Sequence, residues 1–402
     1  MTTKMGNKYA ILLAALGVLA VDAAPAHAEE IIKLGLSVPL SGAGANWGKG
    51  SELLCHEAAK EVKAGGGVKV GGKIYNFECI AYDNKYTAAE GTKVAQTLLK
   101  RDNVKFIGGS LGTAPVRALQ SLTEREGVLI FTTAWGPSIK GPKFPLTFTQ
   151  MNTPNEVLLP LVKFVKEANP SIKTVAFLNP NDATGQETEV IARKAWDAVG
   201  VNVVSSDWYE RGTTEFQPIA VKLARSKVDA VDLGASPPAE AGRVLKELKA
   251  IGWKGVQMVA VGTGAEGLVA TGGDAVDKTY MGVAVTFDGP TATPRQRQLN
   301  EVVIKATGES MNAVQIGFYD SVIALKVAME KAQSVQPEAV AKVLPEITFD
   351  SLYGSKAAFG GQQTYGSPQQ ILVPVIVTQI KGQKLVELQR IEPEEIKRRI
   401  AR

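Results

Sequence analysis

Two histidines and two cysteines in 402 residues leave this chain poor in the side chains that most often hold metals or move protons near neutral pH. No zinc spacing, calcium loop or Walker-type loop occurs, so neither a metal nor a cofactor is expected. Strong charge is also missing. The formal net charge is +5, and the basic residues are spread along the chain apart from Lys397-Arg398-Arg399 and Arg402, which argues against nucleic acid as a partner. Beyond the N-terminal leader, no apolar run approaches the roughly 20 residues that span a bilayer. Cys55 and Cys79 form one disulfide, closing a modest loop, or remain two buried thiols; sequence carries no Cα separation to decide between them.

Lys4 and Lys8 precede an apolar run from Tyr9 to Val21, and Ala26-His27-Ala28 supplies the small residues of a signal-peptidase site. Cleavage after Ala28 is expected. Losing Lys4, Lys8 and Asp22 would take the net charge from +5 to +4. No cysteine follows the cleavage site, so a lipid-modified N-terminus is not expected, and the mature protein should be exported to the periplasm. Its length exceeds the size at which one core stops growing, which points to two lobes.

The most informative stretch is Val104 to Arg117, VKFIGGSLGTAPVR. A short apolar run, a Gly-rich turn and Pro115 ahead of a helical pattern read as strand, turn and helix start. Unpaired N–H groups and the helix dipole would make this turn an anion site, with Ser110 and Thr113 adding hydroxyls. Strands are expected at Ile31–Val38, Ile74–Tyr82, Val128–Thr132, Thr174–Leu178, Val201–Tyr209, Ala230–Leu233, Val256–Val261 and Tyr280–Phe287. Helices alternate with them, among others at Gly48–Val62, Thr87–Lys100, from Pro154, from Gln186 and at Val314–Gln333. The alternation predicts an α/β fold of two doubly wound parallel-sheet lobes, with a ligand cleft lined by strand-to-helix turns.

Two turns match enzyme motifs. Gly108-Gly109-Ser110-Leu111-Gly112 fits G-x-S-x-G, which makes a serine hydrolase the remote alternative. That chemistry needs a base, yet His27 leaves with the leader and His56 lies upstream in the first helix. Gly262-Thr263-Gly264-Ala265-Glu266-Gly267 fits G-x-G-x-x-G, but it follows a late strand and its helix is interrupted at once by Thr271-Gly272-Gly273. The chain is therefore expected not to be an enzyme.

The order Ile32-Lys33-Leu34-Gly35, Pro39-Leu40-Ser41-Gly42, Tyr82-Asp83, Phe106-Ile107-Gly108, Glu126-Gly127-Val128-Leu129, Thr213-Thr214-Glu215-Phe216, Leu223-Ala224 and Asp229-Ala230-Val231 resembles a known family. It is that of the type I periplasmic solute-binding proteins of ABC importers, in the leucine/isoleucine/valine-binding branch. The resemblance implies three crossovers, with 29–150 and 282–350 in one lobe, 151–281 and 351–390 in the other, and 391–402 as a tail. It also implies a small-molecule ligand passed to an inner-membrane ABC permease, with the protein acting as a monomer. A ligand-sensing receptor module on the same fold is the alternative.

The family's ligand contacts fall on Trp47, which matches the packing aromatic, and on Gly112 beside Thr113, where a hydroxyl residue usually holds the carboxylate. They also fall on Gly136 beside Ala134 and Trp135, on Thr184, and near Gly262, where the acid that pairs with an α-ammonium would stand. Ser110, Ser236 and Asp182 complete the candidate set. Asp182 and Glu266 are the acids that could replace the missing one. The expected ligand is a small hydrophobic or aromatic carboxylate, or a branched-chain-type amino acid.

Overall fold

The computed structural model describes residues 1–2, 29–42, 44–261 and 264–400; the expected leader, after its first two residues, lies outside the described residues. Two sheets organise the chain. The first places Val68–Val70, Lys73–Asp83, Glu30–Val38, Phe106–Ser110, Leu129–Thr132 and Thr147–Thr149 side by side, parallel except for the first pair. The second runs Lys384–Ile391, Val375–Lys381, Tyr280–Met281, Val256–Val259, Ala230–Asp232, Thr174–Pro180 and Asn202–Tyr209. Its last five strands are parallel and its first two pair antiparallel.

Helices on both faces explain why the inner strands read as continuous apolar runs: Leu34 to Val38 and Phe106 to Ser110 are buried throughout. The helix Ala313–Ala332 belongs to the first lobe and is buried along most of its length. It can approach the strand Phe106–Ser110 because Gly109 has no side chain; a Cβ there would lie 2.1 Å from the Phe318 ring. Cys55 and Cys79 are bonded, with Cα atoms 6.2 Å apart, tying the helix Ser51–Ala64 to the strand Lys73–Asp83. Closing a loop of this length stabilises the fold by about 3 kcal/mol.

Four boundaries differ from expectation. Tyr280–Phe287 is a strand only over Tyr280–Met281, since the chain then leaves the second sheet. The helix expected from Gln186 starts at Ala183, because the Asp182 carboxylate caps it by accepting from Gly185 N at 2.9 Å. The chain rejoins the second sheet at Val375 rather than near 351. The intervening strands Thr348–Asp350, Lys356–Gly360 and Gln370–Leu372 form a third sheet held on the first lobe, where Thr149 N donates to Gln369 O (2.9 Å) and Gln370 Nε2 to Met151 O (3.0 Å). Finally, the tail contains a helix, Glu394–Ile400, whose Ile396 packs with Ala358 and Leu372 of that third sheet.

Candidate functional site

Turns at the carboxyl ends of both sheets face each other, as open α/β sheets dictate for ligand sites. From the first lobe come Trp47, in the short helix Ala45–Gly48, and Tyr86, their ring centroids 5.7 Å apart. Tyr86 is held there at a conformational cost. Lys85 and Tyr86 have φ of +46° and +60°, a left-handed backbone that disfavours side-chain-bearing residues by about 1–2 kcal/mol each. Asn84 and Asp83 offset that cost: Asn84 Nδ2 donates to Ser37 O and Leu111 O, both at 3.0 Å, and its Oδ1 accepts from Tyr86 N at 2.9 Å. Asp83 Oδ1 accepts from Leu40 N and Lys85 N, both at 2.9 Å.

The strand–turn–helix signal of Val104 to Arg117 corresponds to the strand Phe106–Ser110 and the helix Thr113–Thr123, joined by Gly112 at φ +93°. The anion-site expectation is weakened there. Pro115, in the first turn, has no N–H to give, and the Thr113 hydroxyl already accepts from Gly136 N at 3.0 Å and from Thr184 Oγ1 at 2.9 Å. From the second lobe, Thr184 also lies 3.1 Å from the Tyr86 hydroxyl. Below this, Glu187 on the same helix accepts from Ser138 N (2.9 Å) and Ser138 Oγ (2.8 Å) and pairs with Arg117, so the two lobes are latched together.

Trp47, Tyr86, Gly112, Trp135 and Thr184 line a cavity of about 20 Å³ between the lobes, together with Leu111, Thr133, Met151, Val261 and Val314. That is room for about one water molecule, so the lobes are closed on each other. The remaining candidates fall around this cavity or away from it. The Ser110 hydroxyl turns away and donates to Phe131 O at 3.0 Å, fully buried. Ala134 packs with Val116 and Ile139 inside the first lobe. Gly136 leaves room for the latch, since a Cβ there would sit 2.7 Å from Glu187 Oε2. The Ser236 hydroxyl is fully buried with no hydrogen-bond partner among the described residues. Gly262 lies outside the described residues. Glu266 lines a different and larger cavity with Asp288, Arg297 and Glu301.

Two residues escaped the sequence reading. Tyr86 stands three residues beyond the quoted Tyr82-Asp83, in no recognisable motif. Arg211 sits in the turn after the strand Asn202–Tyr209. Its Nε donates to Asp182 Oδ2 at 2.8 Å and its guanidinium carbon lies 4.6 Å from the Tyr86 ring centroid. Close by, Glu240 accepts from the Tyr209 hydroxyl at 2.7 Å and from Gly212 N at 2.6 Å. Burial pushes the Glu240 carboxyl above the usual range.

A hydrolytic role for Ser110 would need a base. The described histidine, His56, is half exposed on the helix Ser51–Ala64, with Nε2 3.7 Å from Glu52 Oε1.

Two α/β lobes that close over a cavity walled by turns from both define a two-lobed binding protein. The sequence model of the periplasmic binding protein family matches residues 31–384, and the chain belongs to that family. It is 26% identical over 356 residues to the leucine-, isoleucine-, valine-, threonine- and alanine-binding protein of Pseudomonas aeruginosa, covering 88% of this chain and 92% of that one. A solute-binding protein of an ABC transporter from Rhodopseudomonas palustris BisB5, solved with 3,4-dihydroxybenzoic acid, shares the fold at a TM-score of 0.76 and 18% identity, covering 90% of this chain and 98% of that one. The branched-chain amino acid transporter substrate-binding protein of Streptococcus pneumoniae, solved with isoleucine, does so at 0.73 and 16%, covering 90% of this chain and all of the other (100%).

Proposed function

We propose that this chain is the substrate-binding component of an ABC importer. It works in the periplasm as a monomer after removal of residues 1–28, capturing a small hydrophobic or aromatic carboxylate or a branched-chain-type amino acid and delivering it to an inner-membrane permease. It performs no chemistry on that ligand. The observation that carries this reading is the cleft itself: aromatic rings and hydroxyls from one lobe meet a helix start and an ion pair from the other, around a cavity that opening of the lobes would enlarge. The names of the relatives support it, since one is called an amino-acid-binding protein and another was solved with an aromatic acid.

The decisive experiment is mass spectrometry of small molecules released on denaturing freshly purified protein, followed by calorimetry with the compound identified. An organic acid or apolar amino acid that rebinds saturably is the expected result. No released compound, together with no saturable binding of aromatic acids or branched-chain amino acids, would refute the reading. Edman sequencing of the exported protein should begin at Glu29.

A further inference from the structure

The second lobe carries a buried cation for which the sequence reading had no role. The Arg211 side chain is only 10% exposed; its Nη2 stands 2.7 Å from Asp182 Oδ2 in an ion pair without hydrogen-bond geometry, and its Nη1 has no partner among the described residues. The guanidinium lies 4.6 Å from the Tyr86 ring centroid and 5.6 Å from that of Trp47, so it stands against two walls of the interlobe cavity. Leaving such donors unsatisfied away from water is costly, which is why buried arginines ordinarily use their fork.

Asp182 does not exhaust this charge. Its Oδ2 takes the Nε hydrogen bond at 2.8 Å and faces Nη2 at 2.7 Å, but its Oδ1 caps the helix Ala183–Asp197 through Gly185 N, that helix start itself favours a negative charge, and Nη1 is left open. Seen from the ligand, Asp182 is equally unavailable as a partner for an ammonium. Glu240, the other acid on this side, is committed to the Tyr209 hydroxyl and Gly212 N. The indole Nε1 atoms of Trp47 and Trp135 are buried without partners among the described residues, and an indole N–H can only donate. The unpaired groups of Trp47, Trp135 and Arg211 are therefore donors, one of them a full positive charge.

We propose that Arg211 is the anion anchor of the cleft. The outward hydrogens of Nη1 and Nη2 take the ligand's carboxylate from the second lobe while Nε and the inner side of Nη2 stay on Asp182 Oδ2, and Tyr86 and Trp47 flank the guanidinium. The indoles receive further acceptor oxygens or the π-rich body of the ligand. The ligand class is thus an organic acid without an α-ammonium, such as an aromatic acid or a 2-oxo acid, and its charge is read at Arg211 rather than at the Gly112 turn. This rests on the proposal that the cleft captures a small carboxylate.

The test is a thermal-shift and calorimetry panel on ligand-stripped protein, using benzoate, its uncharged analogue benzamide, leucine, and 4-methyl-2-oxopentanoate, which is leucine with the ammonium replaced by an oxo group. Wild type should be stabilised by at least one of the two acids and not by leucine or benzamide. Removing one side of a buried charge pair typically weakens binding by about 100-fold or more, so Arg211→Met should lose at least that much for the acid that binds. Arg211→Lys, which keeps the charge and loses the fork, should fall in between. Leucine shifting wild type as strongly as its oxo acid would overturn the assignment, and so would benzamide matching benzoate. Both comparisons need only wild type, so they hold even where a variant fails to fold. An Arg211→Met protein that binds the acid within about threefold of wild type would overturn it as well. Each of these results leaves the cleft a binding site. No shift with any of the four compounds overturns the carboxylate reading itself, and the anchor with it.

Discussion

Glu187 is where the closed state can be tested quantitatively. Its carboxylate, on the second lobe, accepts from Ser138 N at 2.9 Å and Ser138 Oγ at 2.8 Å and pairs with Arg117, all on the first lobe. At this solvent-exposed edge the two hydrogen bonds contribute about 1 kcal/mol net each. The Arg117 pair counts for less, since that side chain is 46% exposed and solvent screens it to well under about 1 kcal/mol. Glu187→Ala should therefore destabilise the closed arrangement by about 2 kcal/mol relative to an open one, because opening breaks these contacts in wild type anyway. For a ligand that binds the closed form, the lost population appears in affinity, as a rise in Kd of at most roughly 30-fold. Glu187→Gln, which keeps one acceptor oxygen, should lose less. Calorimetry measures the affinity, and small-angle scattering should show a larger radius of gyration for unliganded Glu187→Ala. Unchanged affinity and unchanged scattering together would mean that the latch does not hold the lobes.

Two other outcomes are expected. Trp47→Ala should weaken ligand binding at least about tenfold, since aromatic packing and apolar burial contribute on the order of 2 kcal/mol; unchanged calorimetric affinity in a folded variant would make Trp47 a purely structural residue. Asp320, fully buried beneath Leu352 N at 2.8 Å, has its carboxyl pushed up by burial to about 7. The folded state therefore keeps a proton between about pH 4 and 7 that the unfolded chain has released, so stability falls as pH rises through this window, by at most about 1.4 kcal/mol per unit, and levels off above it. Asp320→Asn should flatten that slope in chemical denaturation; an identical slope in wild type and variant would refute the assignment.

Much of the architecture was legible because its causes are local. The apolar runs at Ile31–Val38 and Phe106–Ile107 mark buried parallel strands, and the glycine at 112 marks a turn that needs positive φ. Boundaries failed where a side chain or a distant strand overrode the pattern. Asp182 capped its helix three residues earlier than periodicity suggested, and residues 348–372 stayed with the first lobe because Thr149, Met151 and the Phe131–Phe148–Phe359 cluster hold them there. The Cys55–Cys79 bond was undecidable until a Cα separation was known.

The candidate site divides along the same line. Trp47, Trp135 and Thr184 sit in strand-to-helix turns, and a parallel sheet places such turns at one edge whatever else the chain does, so sequence alone determined that they face the cleft. Which way each side chain turns was a tertiary decision. Ser110 hydrogen-bonds inward to Phe131 O, Ala134 packs into its own lobe, and Thr113 and Thr184 satisfy each other across the gap. Arg211 shows the reason most plainly: an arginine in a polar turn after a strand reads as solvated surface. Only when two lobes from distant parts of the chain close do Asp182, Tyr86 and Trp47 surround it, remove it from water and leave its Nη1 without a partner among the described residues.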